Sequence, residues 1–365
     1  MRSDPIYVPL LITVLAVTAT PAGLTVFAQG SAAGIAGDSQ AKNTLSGLAG
    51  PFLWEQSPPF ITPEDKRAVE PERAVKDPSI VYDGGKWHVF MSYKCQEHTA
   101  MEYVGFDKWE NADKSPRTIL RISDSKYYCA PQVFYFRPQK KWYLVYQMGV
   151  PESKKMWVAY STTTTIADPA SWTKAQPMLD GSARDPRKEG GIDYWIICDD
   201  QRAYLFYSND RGKLWRMWTT IKDFPNGFDH PEVALEGDIY EAGHIYRVKR
   251  ANQYLAIIEA RGRGGFRYYA AYIADRLDGK WTGLADTQTN PFAGAANVVA
   301  AAGGMLWADN ISHGELIRDS NDETLTVDPG KLQFLIQGIL QKDKPETYQQ
   351  IPWRLGLLTL KKATK

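Results

Sequence analysis

Asp77–Tyr93 reads DPSIVYDGGKWHVFMSY. Two runs of β-branched, aromatic and aliphatic residues flank Asp83-Gly84-Gly85, whose glycines permit the left-handed backbone of a tight hairpin. The same layout, a polar or acidic start, a strand, a polar turn and a second strand, recurs four more times. The copies are Ala130–Gln147 (APQVFYFRPQKKWYLVYQ), Ile192–Ser208 (IDYWIICDDQRAYLFYS), Glu241–Ala260 (EAGHIYRVKRANQYLAIIEA) and a more polar Ile311–Val327 (ISHGELIRDSNDETLTV). Their starts fall roughly 50 to 70 residues apart, and helical periodicity is scarce between them. From Pro51 onward no linker interrupts the chain, so about 63 residues serve each unit, enough for a four-stranded blade with loops. The pattern predicts an all-β, five-bladed β-propeller over residues 51–365; a β-sandwich is the alternative.

Composition narrows the partners. The 365 residues carry 43 Lys+Arg against 42 Asp+Glu, a formal net charge of +1, which supplies no field to hold a phosphate backbone. Twelve Trp and 20 Tyr suit blade packing, and an amphipathic ring also suits a sugar face. Residues 1–28 read as a secretory signal peptide: Arg2, the apolar Val8–Ala19 and a small-residue site at Val26-Phe27-Ala28. A transmembrane anchor is the alternative, and Thr13, Thr18, Thr20 and Pro21 leave the run short for one. Residues 29–50, small and Gly/Ala-rich, read as a flexible leader. Cys95, Cys129 and Cys198 allow one bridge at most, Cys95 with Cys129, or three unpaired thiols.

In a propeller the first strand of each blade lines the central channel, so residues at its start converge although far apart in sequence. Asp77, Asp193 and Glu241 hold such positions. Three acids in one cleft split their pKa values, one staying ionised as a base and another keeping its proton as an acid, which is what glycoside hydrolysis requires. Each also has a structural reading, as a strand-entry or edge residue, and Glu259 and Asp309 near strand ends are set aside on that ground. His313 opens the fifth unit and should face the channel, to hold a cation or orient a carboxylate. Lys76, beside Asp77, suits a sugar hydroxyl or a lowering of that acid's pKa.

Several stretches now form a recognisable set: Lys76–Val89, Ala130–Phe136, Trp142–Gln147, Ile192–Asp199, Asn310–Arg318, Thr326–Gly338 and Pro352–Leu360. In order, from about Phe52 to Leu360, they resemble family 62 of the glycoside hydrolases, secreted five-bladed propellers that act as inverting exo-α-L-arabinofuranosidases. The resemblance implies that Asp77 is the general base, Glu241 the general acid and Asp193 the acid that tunes pKa. It implies a central calcium held by His313 and waters. Substrate contacts fall on Lys76, Gln147, Ile192, Tyr348 and Arg354, and the implied partner is an arabinose-substituted polysaccharide such as arabinoxylan. A secreted monomer, extracellular or periplasmic, binding neither nucleic acid nor membrane is expected. Departures from the family pattern are Met148 for a tryptophan, Gly191 for a proline, Leu355 for a proline and Gly330 for a cysteine. A related propeller glycosidase (β-xylosidase or arabinanase) and a non-catalytic glycan-binding propeller are the competing readings.

Overall fold

The computed structural model describes residues 48, 50–64, 71–149, 156–179, 191–209 and 212–361. The expected signal peptide and all of the expected leader but Leu48 and Gly50 lie outside them. Five antiparallel-built sheets follow one another along the chain, as the five repeats predict. Blade I is Ala74–Asp83, Lys86–Lys94, Thr99–Phe106 and Arg117–Ile119. Blade II is Tyr128–Phe136, Lys141–Gly149, Met156–Thr163 and Gln176–Pro177. Blade III is Ile192–Cys198, Arg202–Asn209, Lys213–Thr220 and Asp229–Glu236. Blade IV is Glu241–Val248, Tyr254–Arg261, Arg267–Ala274 and Thr282–Thr287. Blade V is Asn310–Leu316, Gln333–Ile339 and Arg354–Leu360, completed by Trp54–Gln56 from the N-terminal side.

That last pairing closes the ring. Trp54, Glu55 and Gln56 run antiparallel to Leu360, Thr359 and Leu358, so blade V is built from both ends of the described chain, and Val298–Ala300 pairs parallel to Trp54–Gln56 as its outermost strand. Trp54 is fully buried, its indole N–H donating to the Phe292 carbonyl. Leu48, expected in a flexible leader, is buried in the same core cluster as Phe52 and Trp54, so packing begins earlier than the sequence suggested.

Two sequence expectations are corrected. The fifth repeat is not a hairpin within Ile311–Val327: the inner strand Asn310–Leu316 pairs with Gln333–Ile339, while Thr326–Val327 runs parallel to Arg247–Val248 of blade IV. The polar run between them folds on itself instead, Asp322 accepting from the Thr324 amide and Ser320 from the Thr326 amide. No disulfide joins Cys95 to Cys129; all three cysteines are free and buried. The Cys95 thiol donates to the His98 carbonyl and the Cys129 sulfur accepts from Gln147, so each has a local partner.

One irregularity repeats at the same place in every inner strand. The ladder slips between Lys76 and Ser79, Cys129 and Gln132, Ile192 and Trp195, Glu241 and His244, and Ser312 and Gly314. In four of these bulges the first unpaired residue is left-handed although it is not glycine: Asp77 (φ 47°), Ala130 (53°), Asp193 (54°) and Ala242 (51°). Pro78 and Pro131 follow the first two, placed where no ladder N–H is needed.

A bulge frees the N–H of its first residue, and the neighbouring blade takes it. Gln337 of blade V accepts from Asp77 N, Ser92 of blade I from Ala130 N, Gln147 of blade II from Asp193 N and Glu259 of blade IV from His313 N. Each acceptor sits on the second strand of its blade, opposite the residue that precedes the bulge. Four of the five blade junctions are therefore held by one equivalent hydrogen bond. At the fifth, Ser208 of blade III occupies the acceptor position, yet Ala242 N donates to the Asp193 carboxylate instead, 3.0 Å away. Ser208 Oγ is left buried and without a partner.

The asymmetry makes a contrast that chemical denaturation can read. Ser92→Ala strands a buried N–H and should cost about 1–3 kcal/mol, whereas Ser208→Ala removes an unused hydroxyl and should be neutral or slightly stabilising. Equal losses in the two variants would refute this account of the blade junctions.

Candidate active site

The shared bulge brings Lys76-Asp77, Cys129-Ala130, Ile192-Asp193, Glu241-Ala242 and Ser312-His313 to one end of the channel. Asp77, Asp193 and His313 are the unpaired bulge residues; Glu241 stands one position earlier, equivalent to Lys76 and not to the other two acids. That one-residue offset sends the glutamate off along its own blade, where its longer side chain meets different partners.

Asp77 and Asp193 meet at His313. His313 Nδ1 lies 3.3 Å from Asp77 Oδ1 and 3.7 Å from Asp193 Oδ2. Lys76 Nζ stands 3.5 Å from Asp77 Oδ2 and 5.5 Å from the centroid of the Tyr348 ring. Burial by itself would push the Asp77 carboxyl up, but Lys76, His313 and a hydrogen bond from Ser92 together hold it below the usual carboxylate range. Lys76 responds in kind: burial opposes its charge most strongly, but Asp77 and then Tyr348, Cys129 and Tyr127 together hold it well above the ordinary lysine value. Asp193 goes the other way. Burial first, then the charges of Glu241 and Asp77, raise it well above the usual range, although the Ala242 amide partly offsets them. Two aspartates in equivalent backbone positions thus differ in charge preference because only one has a lysine beside it.

Glu241 is gripped by Arg267, whose Nη1 lies 2.6 Å from Glu241 Oε1 and 2.6 Å from Glu259 Oε1. Arg267 was not anticipated from the sequence: it opens the third strand of blade IV inside an unremarkable RGRGGFRYY stretch. Glu259, which the sequence reading set aside, is fully buried directly across the ladder from Glu241. It also accepts from Ser312 and from the His313 amide. Burial lifts its pKa to about 7, Arg267 opposing and Glu241 adding to the rise. The signal for it was its register opposite Glu241, legible only once the hairpin was known. Asp309, also set aside, binds the Gln341 amide and stays local.

The remaining expected contacts divide. Gln147 is turned toward the protein, accepting from Asp193 N and donating to Cys129, so it sets the Asp193 backbone. Ile192 is half-buried just before Asp193. Tyr348 is 41% exposed between Lys76 and Arg267, the latter 5.4 Å from its ring centroid, where a ligand can reach it. Arg354 lies 5.4 Å from the Trp307 ring centroid, in blade V. Of the departures, Leu355 is a fully buried core residue, and Met148 accepts a hydrogen bond from Ser123.

Calcium favours six to eight oxygens. Among the described residues no group of three or more His, Cys, Asp or Glu is arranged to hold a metal ion. The other imidazole beside His313, His244, has a buried Nδ1 with no partner, and burial and His313 keep it neutral. Nitrogen donors and two carboxylates already engaged with each other's neighbours do not fit a calcium caged by protein.

A five-bladed propeller with acids gathered at one end of its channel is the architecture defined so far. The model of glycosyl hydrolase family 62 matches residues 66–359, and the chain belongs to that family. It is 39% identical over 322 residues to α-L-arabinofuranosidase C of Cellvibrio japonicus (strain Ueda107), covering 86% of this chain and 48% of that protein. The chain thus spans about half the length of that curated relative. The catalytic domain of a family 62 α-L-arabinofuranosidase from Coprinopsis cinerea superposes with a TM-score of 0.79 at 38% identity, covering 86% of this chain and 98% of that one. A family 62 hydrolase solved in complex with xylotriose superposes at 0.78, again at 38% identity, over 86% and 98% of the two chains.

Because the folded protein raises the Asp193 pKa, its ionisation opposes folding once pH exceeds the unfolded value of about 4. Asp193→Asn, whose side-chain oxygen can still accept from Ala242 N, should therefore be more stable than the parent at pH 7 and no different near pH 3. Thermal melts at the two pH values test this; a stability loss at pH 7 would contradict the charge assignment.

Proposed function

We propose that the chain is an exo-acting α-L-arabinofuranosidase that removes arabinofuranosyl side groups from arabinoxylan or a related polysaccharide, with inversion. The observation that carries this is the division of labour among the acids. Asp77 is held ionised by Lys76 and His313, as a base that activates water must be. Glu241 enters from another blade as the least buried of the acids, 14% exposed, where a leaving oxygen can approach it. Asp193, its own pKa raised by burial and then by the charges of Glu241 and Asp77, couples the two catalytic carboxyls and fits the part of a tuning acid. An inverting hydrolysis needs these parts: a carboxylate and a water on one face of the sugar, and a carboxylic acid on the other. Lys76 and Tyr348 border the same space and suit the sugar's hydroxyls and face.

The names of the relatives support the arabinofuranosyl specificity, and the xylotriose complex of one family member supports a xylan backbone beside the site. Export belongs to the same proposal, argued from Val8–Ala19 and Val26-Phe27-Ala28.

Glu241→Gln should lower kcat on arabinoxylan by about 10²–10⁴-fold, the usual contribution of a general acid. Wild type and variant equally inert on nitrophenyl arabinofuranoside and arabinoxylan would remove the hydrolase reading. An NMR time course should show β-arabinofuranose as the first product; the α anomer would exclude inversion. Because Asp77 is held below the usual range, kcat/KM should persist as pH falls and be lost only below about 4. Calcium at His313 is a separate proposal, for an ion held chiefly by water. Chelation should lower the melting temperature, and an unchanged melt would end it.

A further inference from the structure

The acids occupy one end of the inner strands. At the other end, between blade I and the Ile317–Gln333 segment of blade V, lies a second cavity of about 320 Å³, within the roughly 300–1,000 Å³ range of small-ligand sites. Asp77 and Tyr82 share the strand Ala74–Asp83, so five residues at about 3.3 Å each put this cavity some 16 Å from the reaction centre.

Its apolar wall is Tyr82, paired across the ladder with Trp87, ring centroids 4.8 Å apart. Trp87 packs on Trp109 at 4.9 Å, and Trp109 on Phe60 at 4.8 Å, so Tyr82 is the outer ring of a supported stack. It is nonetheless 48% exposed. Among the described residues only two Phe, Trp or Tyr side chains are left so open: Tyr348 in the acid pocket, and Tyr82 here.

The opposite wall is polar and electrically balanced. Arg318 and Lys331 face Asp319 and Asp328, and Asn321 and Gln333 add amides. Lys331 Nζ is 2.7 Å from Asp319, and Lys249 joins both aspartates from outside, so no surplus charge remains to select an ion. Arg318 anchors this wall from within. Its side chain is 1% exposed and paired with Glu315, and its Nη2 donates to the carbonyls of Ile80 and Val133. Its Nη1 is buried with no acceptor. A side chain so enclosed supports the wall from behind, and the polar groups a ligand meets are those of Asn321, Gln333 and the Asp319–Lys331 pair.

We propose that this cavity is a second, non-catalytic carbohydrate site that takes a neutral glycan, one sugar ring lying on Tyr82 and its hydroxyls meeting the amides of Asn321 and Gln333. An open aromatic face, amides and paired charges that both donate and accept, and zero net charge match a polyhydroxylated neutral ring and no ionic ligand. The choice of arabinoxylan as probe rests on the proposed function; the site itself does not.

Affinity electrophoresis in gels containing soluble arabinoxylan tests it, with wild type, Tyr82→Ala and Tyr82→Phe. Retardation should fall in Tyr82→Ala to about one tenth of the wild-type association constant, the size of one lost aromatic contact, and be retained in Tyr82→Phe. The kcat/KM on nitrophenyl arabinofuranoside should be unchanged in both. Equal retardation of wild type and Tyr82→Ala, or none in wild type, overturns the proposal. Unchanged retardation with an altered gel-filtration volume in Tyr82→Ala would assign the patch to a protein contact and equally overturn it. A wild type inert on every arabinofuranoside but showing Tyr82-dependent retardation would defeat the proposed activity and leave this site standing.

Discussion

A single hydrogen bond, repeated around the ring, organises this molecule. A bulge in each inner strand releases one backbone N–H toward the next blade, and a buried polar side chain on the preceding blade accepts it. A buried N–H must find a partner, so this bond fixes how neighbouring blades dock. In four of the five strands the bulge also turns its first residue into the left-handed region, which costs about 1–2 kcal/mol for a non-glycine. Geometry needed for assembly and geometry needed for an acid cluster are here the same geometry.

The departure from that repeat is where chemistry enters. At the junction of blades III and IV the acceptor is the Asp193 carboxylate, and Ser208, in the ordinary acceptor position, is idle. Asp193 therefore holds the peptide that follows Glu241, and a movement of either acid is felt by the other. Glu241 is fixed from the opposite side by Arg267, which Glu259 and Ser312 share. Four carboxylates and two permanent cations gather in a few shells, and their arrangement keeps Asp77 charged while it resists charge on Asp193. Like charges at close range in a buried site cannot all be accommodated, and that mismatch separates the roles.

Much of this was legible in the chain. Four of the five hairpins follow from strand-favouring runs around turn residues; Gly84 and Gly85 indeed adopt φ of 55° and 81° between the paired Asp83 and Lys86. The convergence of Asp77, Asp193 and His313 followed from their place in the repeat. The fifth blade was misjudged because its second strand begins after a long self-bonded loop, and no local signal marks a strand contributed by Trp54–Gln56, some 300 residues from its partner in sequence. Arg267 and Glu259 were missed for a related reason: a charged residue in a strand is assigned to solvent unless its cross-strand neighbours are known.

Local chemistry thus determined the strands, the turns, the five-fold count and the positions of the principal acids, since these depend on side-chain period and backbone preference within a few residues. The closure of the ring, the free thiols, the offset of Glu241 from the two aspartates, the Arg267 bridge and the open ring of Tyr82 were decided by the tertiary structure alone. Each depends on which blade stands next to which, and that adjacency is set by pairings between residues remote along the chain.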